Sequence, residues 1–347
     1  MKKKIAALTV IIFLIALFGC SKEEQKLNNQ PIVSEKQISS LKSTSIPGQK
    51  TFLKYKFEKG EKIRYKLTSL SSTEQTIKAD SSLKSTGTQT LTYFFDIEVL
   101  EVDADNIAEL SFNITQVIYD GIINGQKTHY DSKSVLTKEE KAKYIDFETI
   151  TNTPFRERVN QKGEVLEITR LDKMVDKMIS VQPDMQKMTG EQKAQLIKNL
   201  GDGELKPRTQ LLFRELTSSE VGKDSTWQKS TPATIAVFQM DNAIRYKVAD
   251  FVKVDDDYAV KLNADLAVKW TGNKKASNNG INYLFDDPKV SGGGMILFNI
   301  DKGRIIRGET TTNIEMNVQI TGKDAAQKIQ KASRKDFSTN KNTVELL

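Results

Sequence analysis

Apolar residues alternate with polar ones over long stretches of this chain, and this alternation limits the possible folds more than any other feature. In residues 94–102 and 108–114 apolar side chains fall on every second position. Residues 260–270 repeat the pattern from Val260 to Trp270, with mostly charged or polar residues between the apolar ones. Successive side chains of a strand point to opposite faces, so a period of two indicates strands with one buried and one solvated face.

One region departs from the period of two. Residues 171–179 carry apolar side chains at helical spacing, and residues 191–200 continue in the same way after Pro183 and Gly190. This spacing predicts a helical insertion inside a β protein. Its methionines allow two interpretations, an adaptable binding surface or a face packed on a sheet.

Three short patterns occur twice, in the same order. Residues 63–67 (IRYKL) return as 244–248 (IRYKV), residues 102–105 (VDAD) as 254–257 (VDDD), and residues 162–166 (KGEVL) as 302–306 (KGRII). Asp and Gly suit tight turns between antiparallel strands. The shared order indicates an internal duplication. The alternative is that any β protein reuses the same hairpin residues.

Together these patterns predict a mainly β (α+β) fold with a short helical insertion between its halves. The halves form either two antiparallel curved β-units or one large half-open β-barrel. The predicted organisation is a signal peptide at 1–19, a lipidated N-terminus and flexible tether at 20–50, a first β-unit at 51–170, the helical insertion at 171–207, a second β-unit at 208–322 and a polar C-terminal tail at 323–347. The tail is expected to be loose, with one short helix at 324–333.

The N-terminus has the parts of an export signal. Three lysines at 2–4 precede an almost wholly apolar run, residues 5–18, which falls short of the roughly 20 residues that span a bilayer. Residues 17–20 (LFGC) are typical of a bacterial lipobox, in which Cys20 receives a diacylglycerol on its thiol. Cys20 is the only cysteine, and lipidation is the best explanation for its place at the end of the signal. The multiple acyl chains of a mature lipoprotein would make this attachment durable. A plain cysteine after an ordinary secretory signal is the alternative.

The residues after Cys20 bear on the choice of membrane. Ser21, Lys22, Glu23 and Glu24 resemble the lysine-plus-two-acids signal that sends lipoproteins of Bacteroidota to the cell surface. No aspartate follows the cysteine directly, which in proteobacterial sorting points to the outer membrane. The expected location is therefore the outer membrane, on its periplasmic or surface face. The alternative for these four residues is the charged start of a solvated tether.

Several motifs resemble those of a known group of proteins. The lipobox is followed by the hairpin KGEVL at 162–166, by VGKDSTW at 221–227 and by a final Lys-Gly hairpin at 302–303. This layout is similar to a family of uncharacterised Bacteroidota lipoproteins, which carries no established activity. It looks distantly like the half-barrel lipoprotein carriers that hold lipid between a curved sheet and helices, an analogy that concerns the fold alone.

The chain is mildly basic. Loss of the signal removes three lysines and lowers the formal net charge from +7 to about +4. The remaining basic residues are spread along the sequence, whereas nucleic-acid binding normally requires a clustered basic face. We therefore expect no nucleic-acid partner. The expected partners are the membrane, through the lipid, and a hydrophobic ligand or an envelope protein.

Residues suited to catalysis or metal binding are sparse. His129 is the only histidine, and the chain has no Gly-x-Ser-x-Gly elbow to serve a catalytic triad. Zinc requires several Cys or His ligands. The Asp clusters at 103–105 and 255–257 do not continue as a calcium loop and are interpreted as hairpin turns. No catalytic residue, metal ligand or cofactor is therefore expected.

Acidic and aromatic residues leave other functions open. A glycosidase needs only two acids about 5 to 10 Å apart, and the chain has 45 acidic residues. Trp227, Trp270, Tyr283 and Phe285 suit a sugar or lipid pocket, or a strand core. The leading hypothesis is a non-enzymatic binding module for a hydrophobic ligand or a partner protein. The alternatives are an envelope hydrolase that works through carboxylates and a structural surface lipoprotein.

Overall fold

The computed structural model describes residues 35–235, 238–278, 280–323 and 327–347. Within these ranges the chain is mainly β, as predicted, and of the two predicted forms it has one large antiparallel sheet, which does not close on itself. The strands are β1 (Lys62–Lys78), β2 (Ser82–Val102), β3 (Ala108–Ile123), β4 (Gln126–Asp131), β5 (Phe155–Val159), β6 (Val165–Thr169), β7 (Thr226–Ile235), β8 (Phe238–Val254), β9 (Asp257–Gly272), β10 (Lys275–Asn278), β11 (Ile281–Phe285), β12 (Lys289–Asn299), β13 (Arg304–Lys323) and β14 (Ile329–Leu346).

Two meanders of the same strand order make up the sheet. One runs β6-β5-β3-β2-β1 and the other β13-β12-β9-β8-β7, and β14 lies between β1 and β13 and joins them. β4 pairs with β3, β11 with β13 and β10 with β11. Two of the repeated sequence pairs occupy matching turns: the Asp clusters join β2 to β3 and β8 to β9, and the Lys-Gly pairs join β5 to β6 and β12 to β13. The third pair does not match, because residues 63–67 lie in β1 and residues 244–248 in β8.

Short helices lie before the first strand and around the middle of the chain. They are α1 (Glu35–Ser40), α2 (Lys138–Lys143), α3 (Ile145–Ile150), α4 (Asp172–Val181), α5 (Gly190–Lys198) and α6 (Lys206–Thr209), with a 3-10 helix at Pro183–Lys187 and a π-helical stretch at Asn199–Leu205. Thr189 caps α5, since its hydroxyl accepts from the backbone N–H of Gln192 at 3.2 Å. In α4, Met174 and Val175 are fully buried against the sheet, which favours the packing interpretation of this stripe.

A segment before β1, residues 51–57, crosses the sheet at one end, and we call it the strap. The N–H of Tyr55 donates to the carbonyl of Gln161 at 2.8 Å, and the N–H of Lys56 donates to that of Gly303 at 3.1 Å. The two acceptors lie in the β5–β6 and β12–β13 turns, which are five strand steps apart in the sheet order. Flat strands would separate them by about 24 Å, while consecutive residues are about 3.8 Å apart. The sheet is therefore strongly curled at the strap.

The core lies at this curled end, inside the concave face. Tyr65, Leu67, Phe95 and Phe112 are almost completely buried there together with Tyr55 of the strap. The segment 210–221, which follows α6, returns across the same face towards β7, and its Leu212 and Phe213 join the core. Farther along the strands the sheet extends past this cover, and its side chains become partly or fully exposed.

The polar segment 323–347 was predicted to be a loose tail with a helix at 324–333, and this prediction is wrong. Residues 329–346 form β14, which pairs with β1 on one side and with β13 on the other. The strand was missed because it lacks an alternating apolar pattern: Lys335, Asp336, Lys341 and Asn342 lie where both faces of the sheet are polar. Val344 and Leu346 at its end join the main core, and along the rest of the strand backbone pairing holds it in the sheet.

The predicted tether at 20–50 is too long at its C-terminal end. Ile38 of α1 packs with Val252 and Leu297 on the convex face, and Ile46 joins the main core. Ser43 also forms a bridge with Val252. These isolated apolar residues anchor the segment without producing a periodic pattern. The signal at 1–19 and the first part of the tether lie outside the described residues.

Candidate functional site

The concave face of the sheet continues beyond the core into a region where its side chains are partly or fully exposed, and we call this region the trough. On β9, Leu266, Val268 and Trp270 extend the row of the buried residues Leu262 and Ala264, and all three are partly exposed. The side chains between them face the other way and include the exposed Asp265 and Lys269. On β13 the same face carries Ile314, Met316, Val318 and Ile320. One wall of the trough is therefore apolar.

Aromatic residues gather at the far end of this apolar wall. Phe285 of β11 lies opposite Val318 of β13, and Tyr283 lies opposite Ile320. Trp270 packs into the same small cluster. Three of the four aromatic residues named as pocket candidates, Trp270, Tyr283 and Phe285, are thus brought together, while Trp227 lies on β7 and stacks on Tyr246 at 5.2 Å.

The other wall of the trough is polar and is formed by β1 and β14. The hydroxyl of Ser69 donates to Oδ1 of Asn342 at 2.7 Å, and Nε2 of Gln75 donates to Oδ1 of Asp336 at 2.9 Å. Each of these hydrogen bonds joins a side chain of β1 to one of β14 across the boundary between the two strands. The trough therefore presents an apolar and a polar side to anything lying in it.

Arg214 lies at the covered end of the trough, where the crossing segment 210–221 meets the sheet. Its Nη2 approaches Oγ1 of Thr310 at 3.5 Å, and its Nε is buried without a hydrogen-bond partner. Its backbone N–H donates to the hydroxyl of Tyr55 at 2.6 Å. Burial lowers the pKa of the Arg214 guanidinium, which remains charged because arginine ordinarily titrates above pH 12. Sequence reasoning missed this residue, since no motif surrounds it.

A lone buried acid lies between the sheet and the helices. Glu157 of β5 is fully buried, and neither of its carboxyl oxygens has a hydrogen-bond partner. Burial raises the pKa of the Glu157 carboxyl to about 8, and the nearby Thr209 and Lys206 offset part of this shift. The hydroxyl of Thr209 itself donates to the carbonyls of Leu205 and Lys206. A hydrolase with two carboxylates would need a second acid at this position, whereas the neighbours that influence Glu157 are a hydroxyl and an ammonium group.

A cavity of about 300 Å³ opens on the convex face, lined by Gly293, Gly294, Met295, Arg307, Glu309 and Thr311. Its charges are already paired. Arg307 forms an ion pair with Glu345, and Lys341 contacts Glu309 at 2.7 Å. Lys66 also reaches Glu345, at 3.1 Å. The charged network explains the polar lining of this cavity without a ligand.

The remaining sequence candidates lie apart from the trough. Nδ1 of His129 is 2.7 Å from Oδ1 of Asp120 on the exposed β3–β4 hairpin. In the Asp cluster at 103–105, Oδ1 of Asp103 accepts from the N–H groups of Asp105 and Ile107, as a hairpin turn requires. In the part of the chain that the structure describes, no group of three or more His, Cys, Asp or Glu residues could hold a metal ion.

The predicted lipidation site and sorting residues, Cys20, Ser21, Lys22, Glu23 and Glu24, lie outside the described residues. Among the residues that are described, no helix is long and apolar enough to cross a bilayer.

The chain shares its sequence pattern with one protein family and has low similarity to several solved structures. A structure of lipovitellin, concerned with lipid–protein interactions, matches with a TM-score of 0.39 and 12% identity over 84% of this chain and 25% of that chain. The present chain thus spans a quarter of the length of that relative. An outer membrane channel from Pseudomonas putida F1 matches with a TM-score of 0.21 and 9% identity, over 84% of this chain and 97% of that one. OccAB4 from Acinetobacter baumannii matches with a TM-score of 0.20 and 8% identity, over 82% and 99%.

No curated protein sequence matches the chain. The family of unknown function DUF6263 matches residues 105–305, which are more than half of the chain and run from the β2–β3 turn to the start of β13. The protein therefore belongs to the DUF6263 family.

Proposed function

We propose that this protein is a membrane-anchored envelope lipoprotein that binds a hydrophobic ligand, an amphiphile with an acyl chain, in its trough. The observation that carries the proposal is the row of partly exposed apolar side chains on the concave face of β9 and β13. Leu266, Val268, Ile314 and Met316 continue the core pattern where no helix of the described residues packs against it. Contiguous exposed apolar surface of this kind is typical of binding sites.

A comparison within the sheet supports this interpretation. β14 crosses the same uncovered region with only polar residues on its concave face from Arg334 to Asn342, so a strand here needs no apolar side chains on that face in order to remain paired. β9 instead exposes charged residues on its convex face and apolar residues on its concave face. Burial of one such side chain contributes about 1.5–3 kcal/mol. An acyl chain lying along the row would gain this contribution from several residues at once.

The amphipathic form of the trough also suits such a ligand. An acyl chain would contact the apolar wall of β9 and β13, while the Ser69–Asn342 and Gln75–Asp336 pairs of the opposite wall would face water or polar parts of the ligand. The lipobox ending at Cys20 and the residues Ser21–Glu24 support attachment to the outer membrane. There the trough would have access to lipids.

Two matched variants test the proposal. Val268 and Ala267 are adjacent apolar residues on opposite faces of β9, so Val268→Lys places an ammonium group in the trough and Ala267→Lys places it outside. The assay is fluorescence of the neutral probe N-phenyl-1-naphthylamine with residues 21–347, which include every described residue. We expect Val268→Lys to weaken probe binding by about tenfold, which corresponds to about 1.4 kcal/mol, and Ala267→Lys to leave it unchanged. Equal binding by both variants would contradict the proposal.

Native mass spectrometry of the protein extracted from cells provides an independent test. We expect a co-purified lipid whose mass is lost from Val268→Lys and kept in Ala267→Lys. A spectrum with a bound protein in place of a lipid would favour the alternative of a partner protein. A spectrum with neither would count against a binding role.

A further inference from the structure

Arg214 is a cation placed at the boundary between the covered core and the open trough. The Nη2 of Arg214 approaches Thr310 of β13. Thr310 pairs with Gly294 of β12, and Gly294 pairs in turn with Ala264 of β9. The next row on the concave face contains Leu266, the first partly exposed apolar residue. The guanidinium therefore lies one row below the start of the apolar wall.

The charge of Arg214 has no acidic counterpart among the described residues. The groups that influence its titration are the hydroxyls of Tyr55 and Tyr246. Glu215, its neighbour in sequence, forms an ion pair with Lys229 of β7. The buried Nε of Arg214 and the nearby Nε1 of Trp227, which stacks on Tyr246, both lack hydrogen-bond partners. Two donors at the base of the trough are thus unsatisfied.

A partly buried charge with no partner is costly. A buried donor left without an acceptor costs about 1–3 kcal/mol, and more when the group is charged, and charged groups in protein interiors are normally paired. Arg307 on the convex face follows this rule, since it is buried against Glu345. Arg214 departs from it at the covered end of the trough.

We propose that Arg214 binds the carboxylate of a long-chain fatty acid whose acyl chain lies along the apolar wall. This inference rests on the proposed function and specifies the class of ligand. The planar guanidinium fork matches a carboxylate, and a single unpaired cation matches a single negative charge. Thr310 and Ile320 are ten positions apart along β13. This corresponds to about 33 Å of extended strand, which leaves room for an extended acyl chain.

The charge of the ligand can be tested with the unaltered protein, residues 21–347. Oleate, methyl oleate and oleoyl lysophosphatidate are compared as competitors of N-phenyl-1-naphthylamine. We expect oleate to displace the probe at a concentration at least tenfold lower than methyl oleate or lysophosphatidate. Equal displacement by oleate and its ester would overturn the role of Arg214 while leaving the hydrophobic trough intact. A preference for lysophosphatidate would overturn the assignment to a carboxylate, and failure of all three would count against the proposed function itself.

Variants of Arg214 connect the preference to this side chain. Arg214→Gln should abolish the preference for oleate over methyl oleate, and Arg214→Lys should keep part of it, because the charge remains without the fork. The control is Arg158→Gln, which removes an exposed guanidinium that contacts Asp103 at 3.3 Å and should retain the full preference.

Thermal unfolding of the ligand-free variants separates binding from a structural role. Arg214→Gln removes an uncompensated charge, so we expect its Tm to be equal to or higher than that of the unaltered protein. A lower Tm together with an unchanged preference for oleate would identify Arg214 as a structural residue and overturn the inference.

Discussion

Tyr55 and Gly163 are in such close contact that a Cβ on Gly163 would lie 2.3 Å from Cε2 of the tyrosine ring. The same Cβ would lie 2.7 Å from the carbonyl oxygen of Arg214. Gly163 also has a φ of +82°, which favours glycine. The strap, the β5–β6 turn and the crossing segment therefore meet at one residue that has no room for a side chain.

Gly163→Ala is expected to destabilise the protein by about 3 kcal/mol, because it combines left-handed backbone strain with overpacking. The matched control is Gly125→Ala, whose φ is +84° but whose added Cβ would meet nothing within 4 Å. That variant should lose only about 1 kcal/mol. Urea unfolding followed by circular dichroism measures both, and equal losses would show that the strap contact contributes nothing.

Glu157 should make the stability of the protein depend on pH. Burial raises the pKa of this carboxyl from 4.5 to about 8, so between these values the folded protein holds a proton that the unfolded chain releases. Stability is then highest at low pH and falls as the pH rises through this range, by on the order of 5 kcal/mol. Glu157→Gln should remove most of this dependence and be the more stable protein at pH 9. Urea unfolding at pH 5, 7 and 9 tests this, with the exposed Glu101→Gln as control; a parallel pH dependence in both variants would argue against it.

The ion pair between Arg307 and Glu345 should respond differently from pairs at the surface. Both side chains are less than one-tenth exposed, so Glu345→Gln leaves a buried guanidinium with only the distant Glu309, at 3.9 Å. We expect a loss of about 3 kcal/mol. Glu109→Gln, which breaks an exposed pair with Arg156, should cost less than about 1 kcal/mol. Urea unfolding measures the free energy of unfolding of both variants. Similar losses in the two variants would show that the Arg307–Glu345 pair behaves as a solvent-exposed pair.

The two tryptophans should report the orientation of a bound fatty acid. Trp227 stacks on Tyr246 near Arg214, and Trp270 lies with Phe285 at the far end of the apolar wall. A fatty acid brominated near its methyl end should therefore quench Trp270 more strongly than Trp227. Comparing the quenching in Trp270→Phe and Trp227→Phe measures each residue separately. Stronger quenching of Trp227 would place the chain in the opposite direction.

Cys20 should determine where the protein is found in the cell. Cys20→Ser removes the thiol that we propose as the site of diacylglycerol attachment, so we expect the protein to move from the membrane fraction to the soluble fraction. Ser21→Ala, which leaves the thiol in place, is the control. Recovery of Cys20→Ser in the membrane fraction would contradict lipid anchoring at this residue.

Sequence patterns predicted strands at residues 94–102, 108–114 and 260–270, where apolar and polar side chains alternate. The alternation from Val260 to Trp270 identified β9 and placed its apolar side chains on one face, and the Asp clusters identified two turns. β14 was missed because it is held by backbone pairing with β1 and β13, and along most of its length apolar and polar side chains do not alternate. The site was harder still to predict. Arg214 lies in a segment without periodicity, and its neighbours Tyr55, Tyr246 and Thr310 come from three distant parts of the sequence.

The position of β14 also constrains the order in which the protein folds. Within the described ranges no strand of one meander pairs with a strand of the other, and the sheet is continuous only through β14, which follows both meanders in the chain. Tyr65 pairs with Leu346, so this joint closes a loop of almost the whole described chain. Contacts of such long sequence separation form late. During synthesis each meander is therefore expected to gain its local hairpins first, and the continuous sheet is completed in a last step that inserts one polar strand.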